Sequence, residues 1–185
     1  GIRLNQEDFD LLSMIEQVRL TFAERANAAQ LRLDWSVDGE TPRRVRGDRT
    51  RLLQIMTNVI GNAVKFTRHG SVSVSFGLDG AVSGSCLRVV VADTGIGITE
   101  QNQNALFALF HRANTGLDGA GIGLYLARTI ARTMGGDVTL AGPGARPHNM
   151  ASKQGATFVI QIPLSIIEAP APPQRAPVTR SCRVL

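Results

Sequence analysis

The sequence predicts an α+β fold in which helices cover one face of a mixed, mainly antiparallel sheet. Three observations carry this. Segments with helical and with strand periodicity follow one another in mixed order: helix, strand, helix, two strands, helix, helix, two strands. Leu87 to Ala92 is a nearly continuous apolar run, as a central strand buried on both faces requires. The 185 residues, 43% of them hydrophobic, suffice for one domain with a sizeable core, and no internal repeat is seen.

Phe9, Leu12, Ile15, Val18 and Phe22 recur at steps of three and four, so they share a face of a first helix, with Asp8 or Asp10 as its cap. Leu31 to Val37 alternates with period two and reads as a strand, and Gly39 to Pro42 turns the chain. Asp48 caps a second helix with Leu52, Ile55, Val59 and Val64 on its apolar side, running to about Phe66. Val72, Val74 and Phe76 mark the next strand, a Gly80–Gly84 loop follows, and then comes the apolar strand. A short helix is expected from Glu100 to Leu109, and a third long one from Ile122 to Met134, stopped by Gly135-Gly136. Strands near Val138–Ala141 and Thr157–Leu164 close the domain, joined by an exposed loop from Gly142 to Gly155.

Bulk properties exclude several classes. No apolar run approaches the roughly 20 residues of a membrane span, and there is no signal-peptide pattern, which points to a cytoplasmic domain. A longer parent is still free to be anchored in the inner membrane. Cys86 and Cys182 lie far apart in unlike surroundings and read as free thiols of a reducing compartment. The net charge of +5 is spread along the chain without interleaved aromatics, so no nucleic-acid partner is expected. Lys65 and Lys153 are the only lysines.

Four segments carry chemistry. Asn58 and Asn62 are four apart on the second helix and share a face, with Lys65 near the next turn. Amide oxygens are hard ligands suited to Mg²⁺, and a lysine neutralises phosphate oxygens. Taken alone, two such amides are usually surface or capping groups. Asp93-Thr-Gly95-Ile-Gly97 follows the buried strand. A carboxylate there can accept a hydrogen bond from an exocyclic amine such as that of adenine, and the glycines admit a flat base; an ordinary turn is the rival reading. Gly119-Ala-Gly121-Ile-Gly123-Leu124 brings a glycine-rich loop into a helix, where free amides and the helix dipole favour phosphates. Leu106-Phe107-Ala-Leu-Phe110-His111-Arg112 precedes that loop; its phenylalanines read as core or hinge residues, and Arg112 is within reach of a phosphate.

In order and spacing these segments resemble the N, G1, F and G2 boxes of sensor histidine kinases. Those kinases belong to the superfamily that also holds gyrase, mismatch-repair and heat-shock chaperone ATPases. The resemblance spans roughly residues 1 to 165, including Gly47-Asp48, Arg51 to Gln54, and Gly155 to Leu164. It implies a two-layer α/β sandwich, the Bergerat fold, holding ATP beneath a mobile lid of residues 111–120. By motif position it assigns Asn62 to Mg²⁺, with Asn58 supporting the metal or phosphates, and Lys65 to phosphate. Asp93 is assigned to the adenine amine, Gly95 and Gly97 to the base pocket, and Gly119, Gly121, Gly123, Leu124 and Arg112 to the phosphate end. Three positions depart from the usual pattern: Ala108-Leu109 stands for Glu-Pro, Ala120 for Thr, and Ala156 for a hydroxyl residue.

The related ATPases carry a glutamate general base one turn before the metal asparagine. Here that position is Asn58, which takes no proton at neutral pH, so transfer of the γ-phosphoryl group is favoured over hydrolysis. None of His69, His111 and His148 sits in the helical setting of an acceptor histidine. The acceptor is therefore expected on a dimerisation hairpin of the parent, and the domain alone is expected to be monomeric without autophosphorylation. A regulatory nucleotide-sensing module without phosphotransfer is the alternative. Domain boundaries are expected at 1–165 for the catalytic domain, 166–181 for a proline-rich linker, and 182–185 for the start of a receiver domain, as in a hybrid kinase. That receiver, or a separate response regulator, is the expected downstream partner.

Overall fold

The computed structural model describes residues 3–79, 85–103, 106–108, 122–142 and 155–168. Helix α1 (Leu11–Ala28) is capped by Asp10, whose side chain accepts the Ser13 amide at 2.8 Å. Leu11, Met14, Ile15, Val18, Phe22 and Ala26 form its buried stripe. This corrects the periodicity reading in two places: Phe9 belongs to a preceding strand, and Leu12 is 38% exposed. Helix α2 (Arg49–Phe66) is capped by Asp48, which accepts the Arg51 amide at 2.9 Å. Leu52, Ile55, Met56, Val59, Ile60 and Ala63 face the core, which leaves Asn58 and Asn62 half-buried and Lys65 exposed.

The main sheet has the order β2 (Arg32–Val37), β4 (Ser71–Asp79), β5 (Cys86–Asp93), β7 (Thr157–Pro163), β6 (Asp137–Leu140). The β2–β4 pair is parallel and the rest are antiparallel, as a mixed, mainly antiparallel sheet requires. Val72, Val74, Phe76, Leu87, Val89, Val91, Phe158, Ile160 and Ile162 turn towards the helices and are buried. In the central β5, Val90 and Ala92 are buried as well, which is why that strand reads as apolar without alternation.

Helix α4 (Gly123–Thr133) packs on α2 and buries Ala127, Ile130 and Ala131. It stops at Gly135, whose φ of +82° suits glycine. The expected helix from Glu100 to Leu109 is shorter: α3 covers Glu100–Gln103, and Leu106 to Ala108 lie outside it.

A second sheet escapes the sequence reading. Strands β1 (Glu7–Asp10), β3 (Arg44–Gly47) and β8 (Ser165–Glu168) pair antiparallel in the order β1-β3-β8. Each is four residues long, too short for a clear period. Phe9 and Val45 anchor it in the core, while Arg46 meets Asp8 at 2.6 Å and Arg43 meets Asp10 at 2.8 Å on the exposed side. Strand β8 also carries ordered structure past residue 165, into the stretch expected as linker. Among the described residues no helix is long and apolar enough to cross a membrane.

Candidate functional site

The carboxyl end of β5 delivers Asp93 to the edge of the core, where the residue is 4% exposed. Its Oδ1 accepts the Gly95 amide at 2.9 Å and the Ala156 amide at 3.2 Å. The backbone joins in, with the Asp93 amide donating to the Ala156 carbonyl at 2.9 Å. Two such hydrogen bonds fix the orientation of the carboxylate.

The turn after Asp93 is pressed onto the end of α2. The Ile96 amide donates to the Phe66 carbonyl at 3.3 Å, and a Cβ on Gly95 would stand 2.3 Å from that same oxygen. Only glycine fits such an approach. Gly97 has φ +74°, and a Cβ there would meet the Gly155 backbone at 3.3 Å. The Asp93 turn is thus wedged between the end of α2 and the start of β7.

The other side of the site is the start of α4. Among the described residues no side chain caps its first turn. A Cβ on Gly123 would lie 3.3 Å from Asn58 Oδ1, which puts the helix start directly against the Asn58–Asn62 face of α2. The α4 start, with the positive end of its helix dipole, and the neutral Asn58 side-chain oxygen therefore meet at one place. Lys65 is exposed at the last turn of α2, with Nζ 5.3 Å from the Phe66 ring centroid.

The structure brings Asn58 together with Gly123, and Asp93 with Gly95, while Gly97 packs on Gly155. Leu124 is partly buried against the core, so only its backbone faces a ligand role. Arg112, Gly119 and Gly121, and the expected lid 111–120, lie outside the described residues. Sequence reasoning missed two contributors, the Phe66 carbonyl and the Ala156 amide. Both act through backbone, which no side-chain pattern reveals. Among the described residues no group of three or more His, Cys, Asp or Glu is placed to hold a metal.

The family described as histidine kinase-, DNA gyrase B-, and HSP90-like ATPase matches residues 47–166. The chain belongs to that family. Within this ATPase family its likeness is to sensor histidine kinases. It is 34% identical over 176 residues to the sensory/regulatory protein RpfC of Xanthomonas campestris pv. campestris, covering 90% of this chain and 23% of that one. It is 33% identical over 174 residues to the signal transduction histidine-protein kinase BarA of Escherichia coli K12, covering 88% and 18%. The chain thus spans about a quarter or less of these relatives' length.

Solved histidine kinase structures agree. Full-length ShkA in complex with AMPPNP superposes with a TM-score of 0.75 at 30% identity, covering 92% of this chain and 33% of that one. The catalytic domain of the histidine kinase ThkA gives 0.68 at 26% identity, covering 86% and 97%. The histidine kinase-type ATPase domain accounts for the placement of α2, the Asp93 turn, α4 and β7 within one matched stretch.

Proposed function

We propose that this domain binds Mg-ATP and offers its γ-phosphoryl group for in-line transfer to a histidine carried on a dimerisation hairpin of a longer parent kinase. The observation that carries the reading is the packing of the α4 start against Asn58, on the helix whose far end grips the Asp93 turn. One end of that arrangement suits a purine and the other a polyphosphate. AMPPNP in the ShkA complex supports an adenine nucleotide as ligand.

The two amides Asn58 and Asn62 fit a magnesium ion that arrives with the nucleotide. They are neutral oxygen donors, and Mg²⁺ usually keeps several waters and phosphate oxygens beside one or two protein ligands. In this reading Asn62 ligates the metal, Asn58 supports it and Lys65 meets phosphate. Asp93 accepts from the adenine amine, and the Gly123 and Leu124 amides face phosphate oxygens. When bound, the metal would draw charge from the phosphate oxygens, while the protein orients the nucleotide and carries Asn58 where the related ATPases carry a base. Asn58 cannot accept a proton from water, so transfer to an outside nucleophile is favoured over hydrolysis. The receiver or response regulator, and a cytoplasmic site of action, belong to the same proposal.

Calorimetric titration with Mg-ATP tests it. Wild type is expected to bind, and Asp93→Asn to bind at least about tenfold more weakly, since a charge-assisted hydrogen bond is lost. No heat of binding with wild type sinks the reading. A second reading, nucleotide sensing without transfer, is favoured by Ala156, which is buried beside Asp93 and offers no hydroxyl. Supplying the parent's histidine hairpin in trans separates the two: ATP binding without labelled phosphohistidine supports the sensor.

A further inference from the structure

At the end of β5 the side chains of two successive residues take over hydrogen bonds that belong to the backbone in a longer strand. In an antiparallel pair, residues directly opposite each other exchange two bonds, each amide donating to the other's carbonyl. Extending the β4–β5 register one step beyond Val72↔Asp93 brings Ser71 opposite Thr94. The Thr94 amide donates to the Ser71 carbonyl at 3.1 Å, as such a pair requires. The return bond differs. The Ser71 amide donates to the Thr94 hydroxyl oxygen at 3.0 Å, and that hydroxyl donates back to the Ser71 carbonyl at 3.4 Å.

The β7 side ends in the same way one residue earlier. Beyond Ala92↔Thr157 the register brings Asp93 opposite Ala156. The Asp93 amide donates to the Ala156 carbonyl at 2.9 Å, while the Ala156 amide goes to the Asp93 carboxylate at 3.2 Å. Each side chain thus fills the acceptor place that its own backbone carbonyl would hold in a longer strand. The peptides that follow need not stay in the plane of the sheet. The chain crosses to α2 instead, where the Ile96 amide meets the Phe66 carbonyl.

Gly70 makes room for this arrangement. Its φ of +116° suits glycine, and a Cβ there would run into Thr94 Oγ1. The Gly70 carbonyl accepts the Arg32 amide at 3.0 Å, so the wall behind Thr94 is fastened to β2. Ser71 is buried, so without the hydroxyl its amide needs another acceptor from the protein. By register that acceptor is the carbonyl of residue 94. Turning it back to Ser71 would lengthen β5 by one residue and draw Gly95 and Ile96 away from Phe66.

We propose that Thr94 is a positioning residue: its hydroxyl ends β5 on the β4 side and so sets the turn that aims the Asp93 carboxylate at the base. The inference rests on the nucleotide-binding reading above and deepens it at the base end.

Titrations of Mg-ATP and of adenosine, on variants shown to be folded by thermal melting and well below their melting points, test it. Thr94→Val is expected to weaken both ligands by the same factor, about fivefold, because both need the Asp93 end. Thr94→Ala adds no bulk and carries the same expectation should valine unfold the domain. Thr94→Ser keeps the hydroxyl and should hold both ligands within about twofold of wild type. In the absence of ligand, the Ile96 amide should exchange with solvent at least about tenfold faster in Thr94→Val or Thr94→Ala, and at the wild-type rate in Thr94→Ser. A hydroxyl that only stabilised the fold would lower the melting temperature and leave these affinities in place.

Unchanged affinities in Thr94→Val and Thr94→Ala, an equal loss in Thr94→Ser, or a loss confined to Mg-ATP overturns the proposal. If wild type binds no Mg-ATP, the nucleotide reading falls, and with it the role of Thr94 at the base. Exchange at Ile96 then decides whether the hydroxyl sets the turn at all: an unchanged rate in Thr94→Val and Thr94→Ala removes that too.

Discussion

At the Asp93 turn the carboxylate already accepts two backbone amides, and Gly95 and Gly97 press against neighbouring backbone. At the start of α4 the opposite holds: among the described residues no side chain caps the first turn, and the atoms nearest a Cβ on Gly123 belong to the side chain of Asn58. The first region is finished before any ligand arrives. The second presents helix-start amides, whose natural complement is an anion. In the proposed reading these two ends would divide the work: shape and one carboxylate would select the purine, while dipole and amides would hold the charged tail.

Gly95→Ala breaks that comparison most sharply. Its Cβ would stand 2.3 Å from the Phe66 carbonyl, which belongs to backbone and cannot swing aside. A loss of about 3 kcal/mol of stability is expected, read as a lower urea midpoint, and nucleotide binding should go with it. An unchanged midpoint would mean that the turn yields more easily than its contacts indicate.

Gly123→Ala probes the other end. Among the described residues the atoms nearest the new methyl belong to the Asn58 side chain, the first at 3.3 Å, so the fold should hold and alanine should favour the helix. Mg-ATP affinity is expected to fall about fivefold as Asn58 is displaced, a loss comparable to one hydrogen bond. If stability drops as far as in Gly95→Ala, the two ends are equally rigid and the distinction fails.

Asp137 gives the smallest effect. Burial alone would raise its pKa, but hydrogen bonds from Arg128 and Arg132 and from the Val138 amide outweigh it, holding the carboxyl at about 2 against an ordinary 3.8. Because the folded value lies below the unfolded one, the stabilisation is complete above about pH 4 and disappears as pH falls through 2. With side chains 27% and 31% exposed, screening leaves about 1 kcal/mol for the pair. Asp137→Asn should therefore lower unfolding free energy by about that much at neutral pH, and the difference should close near pH 2.

Much of this was legible before folding. Asp48 announces its helix, as Asp8 or Asp10 does for the first, and the steps through Leu52, Ile55 and Val59 leave Asn58 and Asn62 together at the edge of the apolar stripe. The unbroken Leu87–Ala92 run identifies the central strand, so the position of Asp93 at its end follows. What stayed hidden was short or carried by backbone. Strands β1, β3 and β8 span four residues each and are assembled from distant parts of the chain. Phe107 was readable only as a core or hinge residue, because its partners Arg128 and Phe158 lie in other elements.

The sequence by itself determined the types of the longer elements, the helix caps, the apolar central strand and the motif order that marks the ATPase family. Periodicity and capping act within a turn or two of chain, so they are written locally. Tertiary structure alone decided that the Ala156 amide meets a carboxylate 63 residues away, that Gly95 meets the end of α2, and that Arg128 covers Phe107. Each of these depends on how separate elements pack, and packing geometry leaves no local pattern for a sequence to show.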